Sequence, residues 1–203
     1  MKLFFIISLI ILSSSAYCEA PEKRAQFGEY MGKSFSTIAY NQAYGPSSES
    51  NFILVDGKEI YTGLKWQCVE YARRWLIENK NVTFPSIKYA YMIWDLEHGE
   101  RLDTNQSVPM LRFENGTSKT APQVGDLLIY SPEYVITGHV AVIVGVDLDF
   151  ESVTIAEQNY FKQPWDLENF SRRLMLDMDK EGNYRIIDAS LIGWVHFDLS
   201  PDP

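Results

Sequence analysis

The 203-residue chain has two cysteines, Cys18 and Cys68, and Cys68 stands where a thiol can do chemistry. It precedes Val69, Ala72 and Leu76, which recur at helical spacing, so the sulfur falls in the first turn of a helix expected over residues 63–79. Backbone N–H groups in that turn lack intrahelical acceptors, and the helix dipole favours an anion there. Helix N-termini and a neighbouring imidazolium both lower a thiol's pKa from its usual ~8.5. The same N–H groups, that of Cys68 among them, can hold the oxyanion formed when a thiolate attacks a carbonyl. The implied chemistry is nucleophilic attack through sulfur, which needs a base.

Three histidines can be weighed for that role. His98 lies in Glu97-His98-Gly99-Glu100, a charged helix end, and His196 lies in Trp194-Val195-His196-Phe197, as a half-buried strand residue. His139 follows Thr137-Gly138 and opens the most apolar strand in the chain, beside a glycine that leaves room for a substrate. If Val140–Val146 and Val153–Ala156 form a hairpin turning near Leu148 or Asp149, His139 falls opposite Glu157 or Asn159. Those two residues share a strand face, and either can orient the imidazole as the third member of a nucleophile–base–orienter triad. The spacing does not choose between them.

Two helices and a later run of strands must position these groups. After the helix bearing Cys68, a second is expected from Ser86 to about Glu97, with Tyr89, Ile93 and Leu96 as its stripe and Gly99 as its stop. Asp103 to Thr120 reads as a polar stretch. Strands are expected at Leu127–Tyr130, Val140–Val146, Val153–Ala156 and Ile192–Phe197. Leu174–Asp177 and Tyr184–Ile187 read as a hairpin around Glu181-Gly182-Asn183. Helices first and antiparallel strands later define an α+β class.

Composition sets the setting. Met1-Lys2, the apolar run Leu3–Leu12 and the small residues Ser13–Ala16 form the pattern of a secretory signal over residues 1–18, cut near 18–20. The expectation is a secreted protein, extracellular or in the secretory lumen, without a membrane anchor after cleavage and with Cys68 as a free thiol. The formal charge of -9 repels a phosphate backbone and argues against nucleic acid as a partner. Apolar content of 46% suits one packed domain, expected to be a monomer. Sequons at Asn81, Asn105, Asn115 and Asn169 would take glycans in a eukaryotic secretory route. No HExxH, Cys-x-x-Cys or phosphate-cradling glycine loop is present, so neither a metal nor a cofactor is expected.

The segments 66–74, 122–126, 137–143, 155–159 and 191–194 together resemble CHAP-domain cysteine amidases. Trp66-Gln67-Cys68-Val69-Glu70-Tyr71-Ala72-Arg73-Arg74 is similar to their nucleophile helix, and Thr137-Gly138-His139-Val140-Ala141-Val142-Ile143 to their histidine strand. Ile155-Ala156-Glu157-Gln158-Asn159, Pro122-Gln123-Val124-Gly125-Asp126 and Leu191-Ile192-Gly193-Trp194 also match. Within that family the likeness, Phe27-Gly28 and Gly32 included, is greatest to the amidase half of bifunctional glutathionylspermidine synthetase/amidase. The resemblance implies a papain-like domain over residues 25–198 with a short tail at 199–203, its nucleophile helix and a second helix packed on an antiparallel sheet. It implies amide hydrolysis through an acyl-thioester on Cys68, with His139 as base, Glu157 as orienter, Asn159 and Gln67 in support, and Arg73 in substrate binding. The implied substrate is a thiol–polyamine conjugate, glutathionylspermidine, split into glutathione and spermidine; the alternative is a peptidoglycan stem-peptide or cross-bridge amide. A non-catalytic binding module on the same fold is a second alternative.

Overall fold

The computed structural model describes residues 26–200 apart from 44, 46, 134, 161–163, 167 and 168. The expected signal segment lies outside the described residues. Two hairpins come first, β1 (Tyr30–Ser34) with β2 (Thr37–Tyr40), and β3 (Ser50–Val55) with β4 (Lys58–Leu64). The helix α1 (Cys68–Lys80) follows, beginning later than its periodicity suggested because β4 takes up Gly63. A Cβ on Gly63 would lie 2.9 Å from that of Glu70, and its φ of 144° is one that L side chains rarely adopt. The glycine marks where the hairpin presses on the helix, not where the helix starts. At its far end α1 stops at Asn81, whose left-handed φ of 57° lets its N–H reach the carbonyls of Ile77 and Leu76.

β5 (Val82–Thr83) leads to a 3-10 turn at Ala90–Asp95, the only remnant of the second helix expected over 86–97. The fold therefore has one α-helix among the described residues. Tyr89 is extended, and the N–H of Ala90 donates to the carbonyl of Thr137 at 2.9 Å. Tyr89, Tyr91, Ile93 and Trp94 are also weak helix formers, so tertiary bonds win over a weak local preference. Ile93 is nonetheless fully buried, as its place in the apolar stripe required.

β6 (His98–Arg101) and β7 (Ser107–Glu114) come next, and the latter occupies much of the stretch read as polar. Val108 and Met110 are buried while Ser107 and Pro109 are exposed, a half-buried strand too short of apolar residues to be read from sequence. β8 (Leu127–Tyr130), β9 (His139–Asp147), β10 (Ser152–Ala156), β11 (Arg172–Met178), β12 (Tyr184–Ile187) and β13 (Leu191–Phe197) fall where the strands were expected. Nine strands form one antiparallel sheet in the order β12-β11-β10-β9-β8-β13-β7-β6-β5.

The apolar run of β9 is continuous because both of its faces are covered. Val140 and Val142 join Tyr71, Ala72, Trp75 and Leu76 of α1 in one core. Ala141 and Ile143 point to a second core, filled by Leu128, Ile155, Leu176, Ile186 and Trp194 from the sheet itself. Residues of six strands of one sheet meet there, so the sheet curls about them. Asn115, just past β7, clasps the curl to β12: its Nδ2 donates to the carbonyl of Ile186 at 3.0 Å and its Oδ1 accepts from the N–H of Ile186 at 2.8 Å. Truncating a core residue such as Leu76 to alanine is expected to cost about 2–5 kcal/mol. Of the sequons, Asn105 and Asn169 are exposed, whereas the amide of Asn115 is spent on this clasp.

Candidate active site

The first residue of α1 is Cys68, and the first of β9 is His139. Helix start and strand start are brought together by the core that packs Tyr71 and Ala72 against Val140 and Val142. Imidazole Nε2 lies 2.8 Å from Glu157 Oε2, and the thiol shares a hydrogen bond with the same histidine. With Nε2 engaged by the carboxylate, Nδ1 is the nitrogen left to face sulfur. All three side chains are buried, at 9% exposure or less.

The register explains why Glu157 and not Asn159 takes the imidazole. A bulge between Thr154 and Ile155 sets Ala156 opposite Val142, a count that would put Asn159 across from His139 were the strand to continue. It stops at Ala156, and Asn159 has a left-handed φ of 61°. The amide of Asn159 turns instead to Gln67, donating to Oε1 at 3.0 Å. Glu157 reaches His139 along the cross-strand diagonal. Gly138 also has a different use from the one expected: a Cβ there would lie 2.6 Å from the Tyr130 carbonyl oxygen and 2.9 Å from Tyr91 Cβ. Its missing side chain makes room for the protein's own packing rather than for a substrate.

The charges alternate along the site. Burial alone would push the Cys68 thiol up, but the field and hydrogen bond of His139, with backbone N–H groups of Val140 and Val69, outweigh it and hold the thiol below its ordinary value. Burial would likewise neutralise His139, yet Cys68 and Glu157 raise its pKa to about 9. Glu157, despite its own burial, is held down at about 2 by His139 and Arg172. Each neighbour thus favours the ionised form of the next: thiolate, imidazolium and carboxylate in line.

Arg172 was not read from the sequence as part of this site. Its Nε donates to Glu157 Oε1 at 2.6 Å, its Nη2 to Oε2 at 3.3 Å, and its Nη1 to Asp188 Oδ2 at 2.9 Å. Ser171 Oγ adds a bond to Glu157 Oε1 at 2.8 Å, and Tyr130 OH donates to Asp188 at 2.8 Å. The guanidinium lies 4.3 Å from the ring centre of Tyr160, which also stands 5.1 Å from His139. The β10–β11 pairing that sets Arg172 opposite Ile155 spans a long connection, so no local signal marks this arginine.

A second buried network fixes the nucleophile helix. Glu70, fully buried, accepts from Arg74 Nε at 2.6 Å, Asn51 at 2.9 Å, Thr62 at 3.1 Å and Gln158 Nε2 at 2.9 Å. Gln158 Nε2 also donates to the carbonyl of Gln67 at 3.2 Å, tying the residue before Cys68 to the end of β10. Arg73 bonds to neither Glu157 nor Glu70. It is buried with Nη1 on the Thr62 carbonyl at 2.6 Å and Nη2 on the Pro85 carbonyl at 3.1 Å, its guanidinium 4.5 Å from the Phe84 ring centre. Gln67, Cys68, Thr137, His139, Asn159 and Tyr160 line a cleft of about 240 Å³, and Arg73 does not reach it.

In that cleft an amide carbonyl can meet the Cys68 sulfur with the N–H of Cys68 and the amide nitrogen of Gln67 as oxyanion donors. Residues 59–159 match the CHAP domain, and the chain is a CHAP-domain protein over that span. It is 34% identical over 183 residues to trypanothione synthetase of Crithidia fasciculata, covering 86% of this chain and 27% of that protein. It is 35% identical over 142 residues to the bifunctional glutathionylspermidine synthetase/amidase of Escherichia coli (strain K12), covering 66% of this chain and 22% of the relative. The glutathionylspermidine synthase of Crithidia fasciculata is 33% identical over 139 residues, or 19% of its length. The chain thus spans roughly a quarter or less of the curated relatives it matches.

Proposed function

We propose that the protein is a cysteine amidase of papain-like architecture that hydrolyses a C–N amide through an acyl-thioester on Cys68. The observation that carries this reading is the buried line of thiol, imidazole and carboxylate, with Glu157 2.8 Å from His139 and the thiol hydrogen-bonded to the same ring. The Cys68 thiolate attacks the carbonyl carbon, and the developing oxyanion takes hydrogen bonds from the Cys68 N–H and Gln67. Imidazolium gives its Nδ1 proton to the departing amine, leaving the acyl group on sulfur. Neutral imidazole then takes a proton from water, whose oxygen attacks the thioester, and sulfur leaves as thiolate. Glu157 keeps Nε2–H bonded throughout, so that Nδ1 is always the nitrogen that trades the proton. An intact triad speaks against a non-catalytic binding module.

Glutathionylspermidine is the substrate supported by the amidase named in a relative of 35% identity. The net charge of -9 agrees with a polycationic arm. Peptidoglycan amides are the second reading, favoured by the apolar run Leu3–Leu12, which suits secretion away from the cytosol. Both substrates are to be offered to the mature protein under mild reductant, with Cys68→Ala as control, and new amines followed by mass spectrometry. Release of spermidine only by the unmutated protein supports the first, and cleavage of muropeptides alone supports the second. Turnover by the Cys68→Ala protein would overturn the mechanism.

A further inference from the structure

Beyond His139, the cleft continues into an arm of about 160 Å³ bounded by Tyr130, Val135 and Ala189. It shares Val135, Gly138, His139 and Tyr160 with the cleft at Cys68, so a group attached near the scissile amide can enter it. No aspartate, glutamate, lysine or arginine lines it among the described residues. The Tyr130 hydroxyl at its wall is already spent on Asp188 and accepts from Arg172. The N–H of Ser131 donates to the carbonyl of Ser190 at 2.8 Å, so this part of the wall's backbone is paired as well. Val135, a wall of both arm and cleft, is an aliphatic side chain exposed at 43%. The neighbouring cleft on the other side of Tyr160 differs in kind, because Asp166, Trp165 and Tyr40 contribute to its walls.

We propose that this arm is a subsite for an uncharged aliphatic or aromatic group of the substrate. Its volume is close to the ~150 Å³ that encloses a benzene ring, so a leucine or phenylalanine side chain fits. Aromatic faces and aliphatic walls favour such a group by removing it from water. An ammonium would lose its hydration there beside the His139 imidazolium, and a carboxylate would find as cation only that ring, already engaged by Cys68 and Glu157. The subsite deepens the amidase reading and rests on it, since the shared wall is the proposed general base.

The test uses Cys68 itself as reporter and needs no turnover. N-isobutyl-, N-benzyl-, N-carboxymethyl- and N-(2-aminoethyl)-iodoacetamide alkylate a thiolate by forming a carbon–sulfur bond and releasing iodide. Their rates on the whole protein, read by mass spectrometry and divided by those on N-acetylcysteine, report the arm's preference. The isobutyl and benzyl reagents are expected to react at least about tenfold faster than the charged ones. Ala189→Leu, which fills the arm, should erase that advantage, and Val135→Asp should shift it to the aminoethyl reagent, with folding checked by circular dichroism. Equal normalised rates for all four on the unmutated protein, or an advantage that survives in Ala189→Leu, would overturn the subsite. A Cys68 that outpaces N-acetylcysteine with none of them breaks the amidase reading instead, while the ratio among reagents still decides the arm.

Discussion

Two histidines of this protein hold the same bond in two places. His139 Nε2 lies 2.8 Å from Glu157, and His196 Nδ1 lies 2.7 Å from Asp126. Both carboxylates are 2% exposed or less, and both histidines are raised above their ordinary pKa. What differs is what stands beyond each end. Past His139 is a thiol at a helix start, and past Glu157 is Arg172, itself bridged to Asp188. The charges run negative, positive, negative, positive, negative, and Cys68, His139, Glu157 and Arg172 each have their ionised form favoured by a neighbour in this line. Asp126, by contrast, is held above the usual carboxylate range by burial, which outweighs the bond from His196. That pair joins β13 to the turn before β8, where Asp126 also accepts from the N–H of Gln123 at 2.8 Å. A histidine–carboxylate pair is thus a tie by default. It becomes catalytic machinery when a nucleophile is placed at its open nitrogen.

The largest contrast should come from removing each histidine's function. Cys68→Ala and His139→Ala are expected to lose at least about 10³-fold in kcat, whereas His196→Ala should stay within a few-fold. Steady-state kinetics on the substrate identified above checks this, and similar losses at both histidines would erase the distinction. Glu157→Gln should lose up to about 10³-fold, less than Cys68→Ala, because Gln can still accept from the imidazole but no longer supports its charge.

Arg172→Met sharpens the comparison by making the active pair resemble the structural one. Orientation of Glu157 is loosened, and a loss of about 10²-fold in kcat/KM is expected. The Glu157 carboxylate, left with His139 as its one cation of the two, rises from about 2, so the acid limb of the pH profile should move to higher pH. An unshifted limb would show that Arg172 does not tune the carboxylate. In the unmutated enzyme the alkaline limb should lie near 9, where the imidazolium needed to protonate the leaving amine is lost.

The smallest effect concerns stability. His196→Ala leaves Asp126 buried without its partner, at an expected cost of about 1–3 kcal/mol in urea unfolding. Because the folded-state pKa of His196 is raised, its contribution is present below the unfolded value near 6.5 and fades as pH rises through the folded value. The gap between the two proteins should therefore be wider at pH 6 than at pH 9. A gap that widens with pH would contradict the ion pair.

Much of this site was legible because it is local. Cys68 at a helix start and His139 at the mouth of an apolar strand follow from spacing, and the β9–β10 hairpin narrows the orienter to two residues on one face. Strands with both faces buried were also readable, because Val, Ile and Ala run without interruption in β9. Half-buried β7 was not, nor was the failure of residues 86–97 to form an α-helix, where a bond from Ala90 to Thr137 overrides an apolar period.

The sequence by itself determined the chemistry: one thiol in a helical first turn, one histidine able to serve it, and carboxylate and amide at strand period. Spacing left open which of the pair holds the imidazole, and only the motif resemblance pointed to Glu157; tertiary structure supplies the reason, since a bulge and a left-handed Asn159 alter the register by steps no spacing rule contains. It alone brought Arg172 and Asp188 behind Glu157, and turned Arg73 toward the backbone carbonyls beneath α1. Those contacts join residues far apart in the chain, and their partners are fixed by how the sheet curls rather than by any local preference.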